Sequence, residues 1–384
     1  MRLSRLLTAA TFVTCFASMT NATADEAAKP QSFTRQSARD ILAESRKVVS
    51  GHGIETMQKI PINGTEQWIS VRGHDTRNPI LLYLHGGPGA PDMPLAYTFQ
   101  TPWEDYFTVV QWDQRGAGKT FAANDPAALA STMTVDQMTA DAAEVVSYLR
   151  RTYHKQKIFL LGHSWGSVPG VRLAEAHPDW FYAYIGAGQI ANMRESEAIG
   201  YRFALDEARK QNNQKAVHDL EAIAPYPPPD GKPIDFASIG TQRQWLQYYG
   251  GLAWGRTGFE SFENAEKISP DYSDEDFAAI DKGSGFTMSH LLGPLTDADF
   301  TKTTHFDLPI LLFLGRHDYS VSHDVAARWF KTLKAPAKKL VWFEDSAHLM
   351  MQEQPGRFLK HLVDDARPYA VKAGDAAPDD IVER

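Results

Sequence analysis

Gly162-His163-Ser164-Trp165-Gly166 sets a serine between glycines two positions away on each side. The apolar run Ile158 to Leu161 leads straight into it, and a helix-like stretch, Val168 to Ala176, leaves it. A serine on such a strand-to-helix turn projects its hydroxyl clear of the backbone. Gly162 and Gly166 remove side chains that would strike the neighbouring strand and helix. The opening turn of a helix also aims backbone N–H groups at a developing negative charge. The chemistry implied is nucleophilic attack on an acyl carbon.

A serine nucleophile needs a base and a group that orients the base. Asp318 closes Gly315-Arg316-His317-Asp318, directly after the apolar run Pro309 to Leu314. His348 follows the run Lys339 to Phe343 and the turn-like Glu344-Asp345-Ser346-Ala347. Ser164, Asp318 and His348 therefore stand at the carboxyl ends of three predicted strands, the edge where parallel sheets carry function. Together they read as one catalytic group. An oxyanion hole needs two backbone donors. The N–H of Trp165 supplies one, and by position the N–H of Gly87 in His85-Gly86-Gly87-Pro88-Gly89 supplies the other. The plainer reading of that loop is a tight turn.

Trp112-Asp113-Gln114-Arg115-Gly116-Ala117-Gly118-Lys119-Thr120 ends like a phosphate-binding loop, but Asp113 occupies the place of its first glycine. Arg115 with Asp113 is expected to form a buried ion pair bracing the site wall. His317-Asp318 and His323-Asp324 lack a third well-placed ligand, so no metal and no cofactor is expected. The aromatic residues Trp245, Tyr248, Tyr249, Trp254, Phe259 and Phe262 either line a pocket or pack within a helical layer.

The elements that must position these residues are short and apolar. Pro79 to Leu84, Phe107 to Trp112, Lys157 to Leu161, Tyr182 to Ile185, Pro309 to Leu314 and Lys339 to Phe343 are near-continuous hydrophobic runs. Such runs mark strands buried on both faces of a parallel sheet. Val135 to Thr152, Ser164 to His177 and His323 to Leu333 read as helices between them. Met57 to Ile62 and Gln67 to Arg72 flank Asn63-Gly64, a hairpin signal. The fold class is α/β: a mostly parallel sheet with helices on both faces. Residues 55–189 and 306–368 are expected to form this core. Residues 190–305, with the cluster Pro225-Tyr226-Pro227-Pro228-Pro229, break the rhythm and read as an inserted helical cap. Residues 25–54 read as a polar leader with one amphipathic helix at Ser37 to Val49. Residues 369–384 read as a flexible tail.

The chain has 384 residues, 43% hydrophobic and 22% charged, with a net charge of −8. Disordered and collagenous classes are excluded. Nothing basic is concentrated enough to imply nucleic acid as a partner. Arg2 and Arg5, the apolar run Leu6 to Met19, and Ala22-Thr23-Ala24 have the layout of a secretory signal peptide at residues 1–24. The run is too short for a membrane anchor. Cleavage near Ala24 would remove Cys15, the single cysteine, and take the net charge to −10. An exported protein, periplasmic or secreted, is the expectation.

His85-Gly86-Gly87-Pro88-Gly89, Asp113-Gln114-Arg115-Gly116, Gly162 to Ser167, Gly315 to Asp318 and Ser346 to His348 occur in that order. With them the chain resembles the α/β-hydrolase superfamily over roughly residues 55–365, and within it the proline iminopeptidase-like branch. The resemblance implies an eight-stranded core sheet, a helical cap after the sixth strand, and a Ser–Asp–His triad without a cofactor. It further implies a small peptide or small acyl substrate and release of an N-terminal proline. Three features depart from the branch. His163 stands where it usually has glycine. Ala347 stands in place of the glycine before the histidine. Trp254 is followed by Gly255 instead of an amine-binding glutamate. Glu195, Glu197, Glu221, Glu260 and Glu263 lie in the right region, but their sequence does not say which would serve. A carboxylesterase or lactonase on the same core, and a non-catalytic receptor, stay open.

Overall fold

The computed structural model describes residues 32–229 and 232–378. The sheet, the inserted helices and the site all belong to the compact unit Arg35–Arg384. The leader at residues 1–24 lies outside the described residues.

Eight strands form one sheet: β1 (Ile54–Ile62), β2 (Thr65–Gly73), β3 (Ile80–Leu84), β4 (Thr108–Trp112), β5 (Ile158–His163), β6 (Phe181–Ala187), β7 (Ile310–Gly315) and β8 (Lys338–Phe343). Their spatial order is β1-β2-β4-β3-β5-β6-β7-β8. β1 pairs β2, and β2 pairs β4, antiparallel; every other pairing is parallel. The hairpin turns on Asn63 and Gly64, both at positive φ (44° and 79°), the conformation an Asn-Gly turn supplies.

Alternate residues of the central strands enter opposite layers. Leu82 and Leu84 of β3 join the cluster of helices Val135–Thr152, Ser167–Ala176 and His323–Thr332. Leu81 and Tyr83 join the other face with Phe358 and Leu362. The apolar runs are continuous because both faces of the sheet are covered.

From β3 the chain winds to one side through β4 and then to the other through β5. The loops after β3 and β5 therefore flank the crevice where ligands bind in such sheets. Among the described residues, five helices stand between β6 and β7: Met193–Lys210, Gln214–Ala222, Phe236–Tyr248, Glu260–Lys267 and Asp274–Thr296. They have their own core, including Tyr201, Leu220, Tyr226 and Trp245. The N-terminal helix is Arg35–Ser45, earlier than its sequence pattern indicated.

Residues 369–378 differ from the frayed tail expected of them. Pro368–Lys372 is helical, Lys155 Nζ donates to Asp375 Oδ1, and the Tyr182 hydroxyl donates to Asp375 Oδ2 at 3.1 Å. A single carboxylate with two partners anchors a stretch poor in large apolar side chains.

Candidate active site

Ser164 occupies the turn between β5 and the helix Ser167–Ala176, at φ +52°. Few non-glycine residues hold that conformation, and it persists only where the surroundings impose it. Here the crossing is close. A β-carbon on Gly166 would lie 2.0 Å from the Leu84 carbonyl oxygen, and one on Gly162 would lie 2.8 Å from that of Gly166. Ser167 braces the turn. Its hydroxyl donates to the Ser164 carbonyl at 2.6 Å and accepts the N–H of Ile190 at 3.0 Å.

Asp318 and His348 meet at the ends of β7 and β8. His348 Nδ1 donates to Asp318 Oδ2 at 2.7 Å. Asp318 Oδ1 accepts the N–H groups of Ser320 (3.0 Å) and Val321 (2.9 Å). Both carboxylate oxygens are thus held, and the residue is only 1% exposed. With Nδ1 protonated toward Asp318, the other ring nitrogen of His348 is free to accept a proton. The main chain of His348 is pinned as well. Its N–H donates to the Leu252 carbonyl (3.0 Å), and its carbonyl accepts from His163 Nε2 (3.0 Å). Ser164 and His348 line one cavity of about 340 Å³, with Gly86 and Gly87 in its wall.

The loop after β3 is held from behind. The N–H of Gln114 donates to His85 Nε2 (3.2 Å), so Nδ1 carries the proton and donates to the Gly86 carbonyl (2.9 Å). Burial keeps this ring neutral by lowering its pKa. Since C=O and N–H point opposite ways across a trans peptide, the N–H of Gly87 points away from His85. Gln114 also donates to the His85 carbonyl (2.9 Å) and accepts from the Trp165 indole (3.1 Å). The Gly89 carbonyl accepts from Ser284 (2.7 Å), and that of Gly116 accepts from Thr287 (2.9 Å). The inserted helix Asp274–Thr296 is thereby tied to both loops.

Arg115 and Asp113 do not pair, which corrects the ion pair expected from sequence. Arg115 forks onto Asp141 through Nε (2.7 Å) and Nη2 (3.1 Å). Asp113 instead accepts the N–H of Lys119 (2.8 Å) and the hydroxyl of Tyr272. Both still brace the wall, through other partners.

The insertion places its glutamates unevenly. Glu195 pairs with Arg328 and Glu221 with Arg209, both at the surface. Glu197 is buried and forms a forked ion pair with Arg243, which lines the cavity. Glu260 and Glu263 are exposed on their helix. Phe259 lines the cavity. Trp245 is buried in the insertion's core, with Tyr249 packed against it. Phe262 packs against the core layer that holds Tyr83. Trp254 stacks on His317 at 3.4 Å, and Tyr248 is exposed.

Among the cavity-wall residues without a sequence reading, Asp92 and Arg243 are the ones that carry charge. Asp92 stands three residues beyond Gly89 in the same loop, so a search continued past the glycines would have met it. Arg243 sits in a helix with no spacing signal.

Residues 79–355 match the family model described as alpha/beta hydrolase fold. Over 327 residues the chain is 29% identical to a Bacillus subtilis (strain 168) protein named probable aminopeptidase YbaC, covering 82% of this chain and 98% of that one. Over 282 residues it is 26% identical to a proline iminopeptidase of Arabidopsis thaliana, covering 70% and 68% respectively. The crystal structure of a Mycobacterium smegmatis proline iminopeptidase is similar with a TM-score of 0.60 at 19% identity, over 83% of this chain and all of that chain.

Proposed function

Because the chain belongs to the alpha/beta hydrolase fold family, we propose that it is an exported serine hydrolase acting through Ser164, His348 and Asp318, and that it removes the N-terminal residue of small peptides. The hydrogen bond from His348 to Asp318, beside a cavity that Ser164 also lines, carries this reading.

In the reaction, the free nitrogen of His348 takes the proton of Ser164 as its Oγ attacks the carbonyl carbon. Asp318 holds the ring and stabilises its cation. The N–H groups of Gly87 and Trp165 receive the oxyanion. His348 then protonates the leaving amine. Water, activated by the same ring, hydrolyses the acyl ester and restores Ser164.

The relatives named aminopeptidase and proline iminopeptidase support a substrate with a free amino terminus. Arg2, Arg5, the apolar run behind them and Ala22-Thr23-Ala24 support export with cleavage near Ala24. The test uses the chain from Asp25, with Ser164→Ala as blank. Prolyl 4-nitroanilide is compared with its N-acetylated form. An aminopeptidase cleaves the first and spares the second. The apolar cavity residues Ile190, Met193, Leu252, Leu295 and Val321 favour a second reading, a carboxylesterase or lactonase. Faster turnover of neutral acyl esters than of either anilide would select it.

A further inference from the structure

One side of the cavity brings His163 Nδ1 and a carboxylate oxygen of Asp92 face to face. His163 Nε2 lies 3.0 Å from the His348 carbonyl oxygen. A carbonyl only accepts, so Nε2 carries the proton, and in the neutral ring Nδ1 carries a lone pair. His163 is 3% exposed, and its Nδ1 is buried without a hydrogen-bond partner among the described residues. Asp92 Oδ2 faces it at 3.7 Å, beyond hydrogen-bond reach. Both residues line the cavity that Ser164 lines. A buried polar atom left in this way calls for a ligand that supplies the missing donors.

The charge points the same way. The Tyr83 hydroxyl donates to Asp92 Oδ2 at 2.7 Å and favours its charged form. Asp92 is therefore held as an anion. Its field reaches the helix Glu260–Lys267. There burial, then the charge of Asp92, then Glu263 and Asp281 push the Glu266 carboxyl up to about 7. Negative charge is in surplus on this side of the cavity, and a cation would relieve it.

We propose that Asp92 and His163 Nδ1 together receive the α-ammonium group of the substrate and so set the requirement for a free amino terminus. This rests on the aminopeptidase reading above and names its specificity site. The ammonium of an N-terminal proline has two N–H donors, and the gap offers two acceptors. N-acetylation removes both donors and the charge. The reach also fits. The point where Gly86 lacks a β-carbon is 3.4 Å from His163 Nδ1 and 3.6 Å from Ser164 Oγ. In an N-terminal residue, the amine nitrogen and the scissile carbon are only about 2.5 Å apart. An amine held by His163 thus leaves its carbonyl beside Ser164.

The experiment measures kcat/KM for prolyl 4-nitroanilide and for its N-acetylated form, on the wild-type chain from Asp25 and on Asp92→Asn. The ratio of the two values on one preparation does not depend on how much of that preparation is folded. Wild type is expected to prefer the free amine. Asp92→Asn should lose ~100-fold of that preference, mainly through a higher KM. Should Asp92→Asn not fold, His163→Phe carries the test, since it keeps the ring and removes the lone pair; ~10-fold is the expected loss. A wild-type preference that persists in the variant would overturn the anchor and leave the aminopeptidase reading standing. No preference in wild type would overturn both.

Discussion

Gly86 makes room for Ser164: a β-carbon on Gly86 would lie 3.1 Å from the Ser164 Cβ and 3.6 Å from its Oγ. Ser164 is already held at φ +52°, so it has little freedom to yield. Gly86→Ala should displace the hydroxyl and the adjoining Gly87 amide by a few tenths of an ångström. The expected result is a ~100-fold fall in kcat/KM, with thermal melting nearly unchanged, because the sheet beneath is untouched. A variant that melts normally and keeps full activity would remove the loop after β3 from the mechanism.

Asp318→Asn tests the base in another way. Ser320 and Val321 donate their N–H groups to Oδ1, so the asparagine oxygen is claimed by them. Its amide nitrogen then faces His348 Nδ1 and donates where the carboxylate accepted. That forces the proton of the ring onto the other nitrogen, the one that must take the proton of Ser164. Activity should fall about 10⁴-fold with the shape of the site retained. Ser164→Ala should fall at least as far. Steady turnover by either variant above a few per cent of wild type would refute the serine mechanism.

Arg243 and Glu197 form the insertion's buried ion pair, completed by the Tyr226 hydroxyl, which donates to Glu197 Oε2 at 2.6 Å. Glu197 is 2% exposed. Arg243→Leu would strand its charge, at about 3 kcal/mol or more. Removing both charges, with Glu197→Leu added, should restore much of that loss, because the pair's own desolvation disappears with it. Urea unfolding of the two variants measures the difference. Equal losses in the single and double variants would show that the pair contributes by its packing alone.

β3, β4, β5 and β7 were legible because each is buried on both faces and so reads as a near-continuous apolar run. Asn63-Gly64 marked the hairpin by its own backbone preference. Ser164, Asp318 and His348 stood out because each follows such a run. What sequence could not carry was the choice among partners. Arg115 had Asp113 two residues away and took Asp141, while Asp113 took the Lys119 N–H and the Tyr272 hydroxyl. Asp92 and Arg243 reach the cavity through the loop after β3 and a helix of the insertion, and their role depends on what faces them across it. Glu353 shows the same limit. It accepts the N–H groups of Trp254 and Ala347, joining an insertion loop to the loop of His348, and no spacing predicts that junction.

Glu353, Asp113 and Glu266 together give the protein a pH-dependent stability. Burial is the first cause in each. It pushes the carboxyls of Glu353 and Asp113 up to about 7 against the hydrogen bonds they accept, and that of Glu266 to the same level with help from neighbouring negative charge. Unfolded, the same groups titrate near 4. Between about pH 4 and pH 7 the folded state therefore holds more protons than the unfolded one, and stability falls as pH rises through that window. Asp92 and Asp276, whose carboxyls are lowered, act in the opposite sense only below about pH 4, and His85 and His317, whose rings burial lowers, do so below about pH 6.5, where two rings oppose three carboxyls. The urea midpoint of the chain from Asp25 should thus be higher at pH 5 than at pH 8. In Glu353→Gln the slope should be shallower, because one of the three titrating groups is gone. The variant should also be less stable at pH 5, since an amide oxygen can serve only one of the two N–H donors without turning its own N–H₂ on the other. A midpoint that rises from pH 5 to pH 8 would mean these carboxyls ionise in the folded protein at ordinary values, with water or another cation reaching them.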